Sequence, residues 1–415
     1  MRYLSWLLAV VVILSGCAKG PAPVPVKAAP ADPATAPWSE VVAQARDHEV
    51  SIYMWGGSDS INTWMDTYVS GQVKAKYGVT LKRVPVAATA DAINKLLGEK
   101  QAGRTTGSAD LVWINGENFK AARQGDLLWG PFAERLPSFT AYYDTKAPDV
   151  ASDFGYPVEG YEVPWGKAQF VMTYDSAKVP NPPKSFAELA AWVKAHPGRF
   201  TYPAPSTDFT GSAFLRMALY ETTGGYQHYL GAYDQAKLEA KWQKTFDYLN
   251  GLRPYLWRQG TTYPENLAKL DQLYADGEVW MSMHYDPSAA ANLIAKGTYP
   301  ATTRTFLFDA GTIANTHFLA VPFNAPNKAG AMVVADFLLS PEAQLSKFDP
   351  KNWGDFPAFD PAKAPAGVKD GLTKIDLGPA VLPPAVLAQH RVPEIEADYL
   401  KHLQDGWTRY VAQAK

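Results

Sequence analysis

Apolar and polar positions along this chain switch between two periods. "VSIYMW", Val50 to Trp55, is a run of strand formers, and it stops at Gly56, Gly57, Ser58, Asp59 and Ser60, a cluster of turn and capping residues. From Ile61 the period lengthens. Ile61, Trp64, Met65 and Tyr68 fall at i, i+3, i+4 and i+7, which predicts a helix to Tyr77, closed by Gly78 as a C′ glycine. A short helix over Trp38 to His48 precedes the first strand. "VTLKRVPV" reads as a second strand, Ala90 to Ala102 as a helix stopped by Gly103, and "ADLVWING" from Ala109 as a third strand. Strands alternating with helices predict a parallel sheet and an α/β lobe. Ligands of such sheets collect outside the carboxyl ends of the strands, here Trp55 to Ser58 and Asn115 to Glu117.

The pattern then restarts. Ala168 to Tyr174 is a long apolar strand followed by a Pro-rich turn, and Ser185 to Glu188 has the form of a capping box ahead of a helix. "RFTYPAPSTDFTGSAFLRMALYETTGG" predicts a strand, a polar turn over Ser206 to Gly211, and a helix. "GEVWMSMHYDPSAAANLIAKG" predicts another strand that ends at His284, Tyr285 and Asp286, and then a helix. "THFLAVPFNAPNKAGAMVVADFLLSPEAQ" predicts a strand, a turn, a helix and a new cap at Ser340 with Pro341 at the first helical position. Beyond Asp349 the tail is Pro-rich, and it closes with an amphipathic helix from about Glu394 to Ala414.

At 415 residues the chain exceeds the size of one hydrophobic core, so two lobes are expected. A net charge of −2 offers no basic field for nucleic acid. The N-terminus narrows the compartment. Arg2 precedes "YLSWLLAVVVIL", which is too short for a comfortable membrane span and has the form of an export signal. It ends in "LSGC", similar to the lipobox in which a cysteine is lipidated, and Cys17 is the single cysteine, so no disulfide within the chain is possible. A Pro/Ala-rich tether, 18–37, follows. The chain is therefore expected in the cell envelope, on the periplasmic or extracellular side, anchored by lipid at Cys17.

Four stretches carry a resemblance to the extracellular solute-binding proteins of bacterial ABC importers, of the type II periplasmic-binding fold. They are "SIYMWGGSDSINTWMDTYVSGQVKAKYGVTL", "VPWGKAQFVMTYDSAKVPNPPKSFAEL", "GEVWMSMHYDPSA" and the "THFLAVPF" segment. Within that family the chain looks most like the YnjB-like branch, beside branches that bind polyamines, thiamine or ferric ions. The resemblance implies two α/β lobes joined by crossing strands, assigned here to 38–165 with 310–349 and to 166–309 with 350–415. It implies a ligand cleft between them, hinge closure, a membrane permease and ATPase as partners, a monomer, and no cofactor, metal or catalysis.

The candidate ligand residues each carry a second reading. Trp55 matches a pocket tryptophan of polyamine-binding relatives, although a strand-end aromatic also suits a core. Ser58 and Asp59 either contact ligand or cap the next helix. Asn115 and Glu117 flank a glycine at the next strand end, or lie in a solvated loop. Trp165 stands at the expected crossing. Ser206, Thr207, Asp208, Thr210 and Gly211 form the matching turn in the second lobe, where capping explains two polar residues at most. Tyr285 and Asp286 match an aromatic-then-acid pair of polyamine-binding relatives, and His284 reads as structural. This inventory is aromatic and acidic, which favours a cationic or neutral aromatic ligand, thiamine- or polyamine-like. Two helix N-termini argue the other way, toward an anion. An exported hydrolase or carbohydrate-active enzyme is the competing class, and a signalling receptor of the same fold is a third. The chain lacks G-x-S-x-G, H-E-x-x-H and a P-loop.

Overall fold

The computed structural model describes residues 31–414. The expected export signal and Cys17 lie outside the described residues. The end of the expected tether is already part of the body. Ala36 is 3% exposed in the first core, and its carbonyl accepts from the Arg135 guanidinium at 2.6 Å.

In chain order the strands are β1 (Glu49–Trp55), β2 (Thr80–Val86), β3 (Leu111–Ile114), β4 (Leu128–Trp129), β5 (Ser152–Asp153), β6 (Tyr156–Pro157), β7 (Glu162–Gln169), β8 (Val171–Asp175), β9 (Met281–His284), β10 (Thr303–Phe306), β11 (Thr312–Pro322) and β12 (Arg391–Pro393). The larger sheet runs β12-β11-β3-β1-β2, with β4 and β7 also on β11. β1 is parallel to β2 and β3, as the alternation of strands and helices predicts. β11 runs antiparallel to β3 and β7, so the sheet is mixed. The second sheet, β10-β8-β9, is antiparallel.

The helix expected from Ile61 to Tyr77 starts two residues earlier and is not uniform. It runs from Asp59–Trp64 through a π turn, Met65–Val69, into Ser70–Tyr77. Gly78 ends it at φ 74°, a left-handed conformation that costs glycine nothing. At Ser185 the side chain accepts the Glu188 N–H at 3.1 Å, while Glu188 reaches past the cap to the Lys184 N–H. The strand expected from Arg199 is irregular. Its backbone bonds go singly to Trp257, Trp280 and Pro264.

The long strand expected over Ala168 to Tyr174 is two strands. β7 pairs with β11 in the first sheet, and β8 pairs with β9 and β10 in the second. The chain changes sheets at Phe170, which is fully buried and bonds back to the Ile313 carbonyl. Packing divides accordingly. Both faces of the larger sheet carry cores built from Ala36 to Trp165 and from Phe318 to Ala364. The other core takes Phe154 to Phe308, Ile313, and Val392 to Val411. Phe154 and Ile313, both within the ranges expected for the first lobe, pack into the second core. Trp353, Ala358, Phe359 and Ala364 pack into the first instead of following the tail.

Candidate functional site

Where β1 ends, Trp55 is half-buried, and its indole folds back over its own turn. A Cβ on Gly57 would lie 2.2 Å from Trp55 Cζ2, and one on Gly56 would lie 2.6 Å from Pro85 Cβ. The chain's own packing therefore requires both glycines. Ser58 caps the helix through its carbonyl, which accepts the Asn62 N–H at 3.0 Å, and its side chain makes no cap bond. Asp59 is exposed, with its carboxylate 3.9 Å from Lys296 Nζ, just past the Ala289–Ala295 helix of the second lobe. The first-lobe turn thus approaches the second lobe at this ion pair.

The β3 turn faces the same way. Gly116 holds φ 61°, and its N–H donates to the buried Asp153 carboxylate at 2.5 Å. Asn115 is half-buried and Glu117 is exposed. Burial pushes the Glu117 carboxyl pKa up, and Glu394 adds to that. The Glu117 backbone N–H and Arg216 oppose it. Arg216 belongs to the second lobe, so the Glu117 carboxyl feels a charge of the opposite lobe.

The matching turn of the second lobe behaves differently from its sequence reading. Asp208 caps the Phe209–Thr223 helix through the Gly211 N–H at 2.9 Å, and its other oxygen takes the Leu267 N–H at 2.8 Å. Both oxygens tie two helix starts together. Thr207 Oγ1 donates to the Glu265 carbonyl at 2.7 Å. Thr210 is buried, and a Cβ on Gly211 would meet the Pro203 carbonyl oxygen at 2.2 Å. Ser206 is exposed. Capping and close packing therefore account for four of the five residues predicted here as ligand contacts.

Tyr285 is 9% exposed, and its hydroxyl donates to Glu394 at 2.7 Å. Glu394 also takes the Arg216 guanidinium in a bidentate pair, at 2.8 Å and 2.9 Å, while Arg216 Nη1 donates to Ser212. The tyrosine thus belongs to a buried ionic network, with its ring behind the cleft surface. Asp286 is half-buried and accepts the Ser288 N–H at 2.9 Å. Burial and the neighbouring Asp355 raise its carboxyl to about 7, against the Ser288 N–H, Trp353 and Lys347.

Trp165 corrects a second expectation. It is fully buried, edge-on to Trp113 at 5.1 Å and Trp353 at 5.3 Å, so it is a core residue. The Trp353 ring lies nearly parallel to His317, at 5.8 Å and 7°. His317 Nε2 is 2.9 Å from Asp355 Oδ2, and that carboxylate also holds the buried Lys347 ammonium. Gly166 makes room for this group, since a Cβ there would lie 1.9 Å from His317 Nε2. The loop carrying Trp353 also hooks the second lobe through Ser288 to the Gly354 carbonyl and Asn292 to the Trp353 carbonyl.

Trp55, Asn115, Glu117 and Asp59 thus sit at strand ends of the first lobe, while Asp286 and Phe209 belong to the second. The sequence reading missed Phe209, Arg216, Glu394 and Trp353. One signal was available: Arg216 sits in "FLRMALY", an apolar run in which a charge needs a buried partner. Among the described residues no group of three or more His, Cys, Asp or Glu is arranged to hold a metal ion. A surface depression of ≈ 640 Å³ lies elsewhere, lined by Asn250, Arg253, Pro254 and Gln259. Its Arg253 already donates to the Val411 and Ala414 carbonyls.

The chain matches the family model described as bacterial extracellular solute-binding protein over residues 70–373. It is 40% identical over 371 residues to Protein YnjB of Escherichia coli (strain K12), covering 89% of this chain and 92% of that one. The fold resembles the periplasmic binding protein AfuA from Actinobacillus pleuropneumoniae, with a TM-score of 0.62 at 14% identity over 88% of this chain and 99% of that one. It also resembles the spermidine/putrescine transporter's substrate-binding protein PotD from Streptococcus pneumoniae, with a TM-score of 0.59 at 15% identity over 88% and 99%. Two lobes, crossing strands and a cleft of the type II periplasmic-binding fold agree with these matches, and the chain belongs to the bacterial extracellular solute-binding proteins, the solute-capturing components of ABC-type importers.

Proposed function

We propose that this protein captures one small organic solute between its lobes, closes on it by a hinge motion at the crossing strands, and hands it unaltered to a membrane permease. The observation that carries this reading is the facing of the two lobes. Glu117 and Asp59 of one lobe stand within electrostatic reach of Arg216 and Lys296 of the other, with no covalent link nearer than the crossings. A ligand that touches both lobes favours the closed form by its contacts with the two together. The structure described as AfuA holds fructose-6-phosphate, and PotD is named for spermidine and putrescine. One fold thus serves opposite charges, so the ligand of this chain follows from its own side chains. Cys17 anchors the monomer by lipid to the membrane that carries the permease, and the tether lets the body reach it.

The test combines small-angle scattering with a solute panel of amines, sugars, phospho-polyols and amino acids. A bound solute is expected to shrink the radius of gyration and leave the protein unmodified. Binding without compaction, or conversion of the solute, would refute the reading. Replacing Cys17 with Ser is expected to move the protein from the membrane to the soluble envelope fraction.

A further inference from the structure

Resting on that reading of the cleft, we propose that its ligand is an organic cation with a flat apolar face, held by Glu117 of the first lobe and Phe209 of the second. Phe209 opens the Phe209–Thr223 helix and is 36% exposed, one of three large apolar side chains so exposed among the described residues. Burying such a ring is favourable, and its own fold leaves about a third of it in water. It stands edge-on to Tyr285 at 5.0 Å and tilted to Phe154 at 6.4 Å. Phe154 in turn lies against Gly116, where a Cβ would be 3.3 Å from its ring. Gly116 immediately precedes Glu117. Phe154 therefore separates Phe209 from the Glu117 turn by one ring, and a small molecule reaches both.

The charges decide the sign. The Arg216 guanidinium lies 5.5 Å from the Phe209 ring centre and 5.9 Å from that of Phe154. It is fully buried and committed to Glu394 and Ser212. Its charge is cancelled by Glu394, whose remaining capacity goes to Tyr285. Lys120, on the same helix as Glu117, is held by Glu396 at 2.6 Å and Asp398 at 2.8 Å. Glu117 has no ion pair among the described residues and is met only by its own backbone N–H and the more distant Arg216, whose charge Glu394 already balances, so the uncompensated charge here is negative. An anion would meet Glu117 and a guanidinium it reaches only by displacing Glu394. A ligand ammonium instead offsets the cost of holding Glu117 ionised in a crowded cleft, and the nearby ring faces add to its attraction.

Calorimetric titration of the full chain in detergent, with matched probes, tests this. The probes are 2-phenylethylammonium, neutral 2-phenylethanol, 3-phenylpropanoate and butylammonium. The ring-bearing cation is expected to bind at least tenfold more tightly than the alcohol or the carboxylate. Glu117→Gln, at an exposed position that leaves the fold intact by circular dichroism, is expected to erase that preference. Phe209→Ala is expected to weaken the ring-bearing cation and leave butylammonium unchanged, and Phe209→Tyr to restore it. Equal binding of the neutral or anionic probe, no binding of the cation, or wild-type selectivity in Glu117→Gln overturns the assignment. If a sugar or phosphate binds and compacts the protein instead, the cleft reading stands and the charge assignment falls. If no solute of the wider panel binds, the proposed function falls with it.

Discussion

Replacing Glu394 with Gln is the sharpest test of how the second lobe is held. The Arg216 and Glu394 side chains are 1% and 3% exposed, and Glu394 accepts three hydrogen bonds, two from the guanidinium and one from the Tyr285 hydroxyl. Gln keeps one acceptor oxygen and turns its amide donors toward a guanidinium that has only donors. A buried guanidinium then loses its counter-charge with no water to replace it. Removing one partner of such a pair costs about 3–5 kcal/mol. For a lobe of this size that corresponds to a fall in melting temperature of roughly 10 °C. Differential scanning calorimetry reads it directly. The double change Arg216→Met with Glu394→Met replaces the pair by apolar volume and is expected to recover about half of the loss or more, because the desolvation cost of both charges disappears. A loss below ~1 kcal/mol in Glu394→Gln would show that water reaches the guanidinium and would refute the argument.

Three further outcomes follow from the same structure. The Asp286 carboxyl lies at about 7, above its ordinary 3.8, so folding favours its protonated form. That contribution is intact below pH ~4 and is lost as pH rises through 7, so Asp286→Asn is expected to match wild type near pH 4 and to exceed it at pH 8 by up to ~2 kcal/mol, read as melting temperature across pH, solvent access to the half-buried group included. Gly166→Ala drives a methyl into His317 and Asp355, and is expected to cost about 1–3 kcal/mol and to change near-ultraviolet circular dichroism from Trp113, Trp165 and Trp353; an unchanged spectrum would contradict the packing. Asp208→Ala removes a helix cap and the partner of the Leu267 N–H, and is expected to cost about 2 kcal/mol in chemical denaturation while solute affinity stays within about twofold; a large affinity loss with intact stability would return Asp208 to the ligand.

Local signals decided much by themselves. The period-2 run of β1, the change of period at Ile61 and the C′ glycine at Gly78 are written in adjacent residues, and they placed strand, helix and stop. The turns at Trp55–Asp59 and Asn115–Glu117 were legible as neighbouring strand ends, because the carboxyl ends of parallel strands open on one side of a sheet. What local pattern could not carry was the division of one long apolar run into β7 and β8, since strand propensity is the same whichever sheet a strand joins. Nor could it tell a cleft aromatic from a core aromatic. Trp165 and Phe209 look alike in sequence, and only tertiary packing buries one under Trp113 and Trp353 and leaves the other at a helix start beside the opposite lobe. The charge balance of the cleft was hidden for the same reason. Arg216 and Glu394 lie 178 positions apart, and their pairing exists only once the tail folds back onto the second lobe.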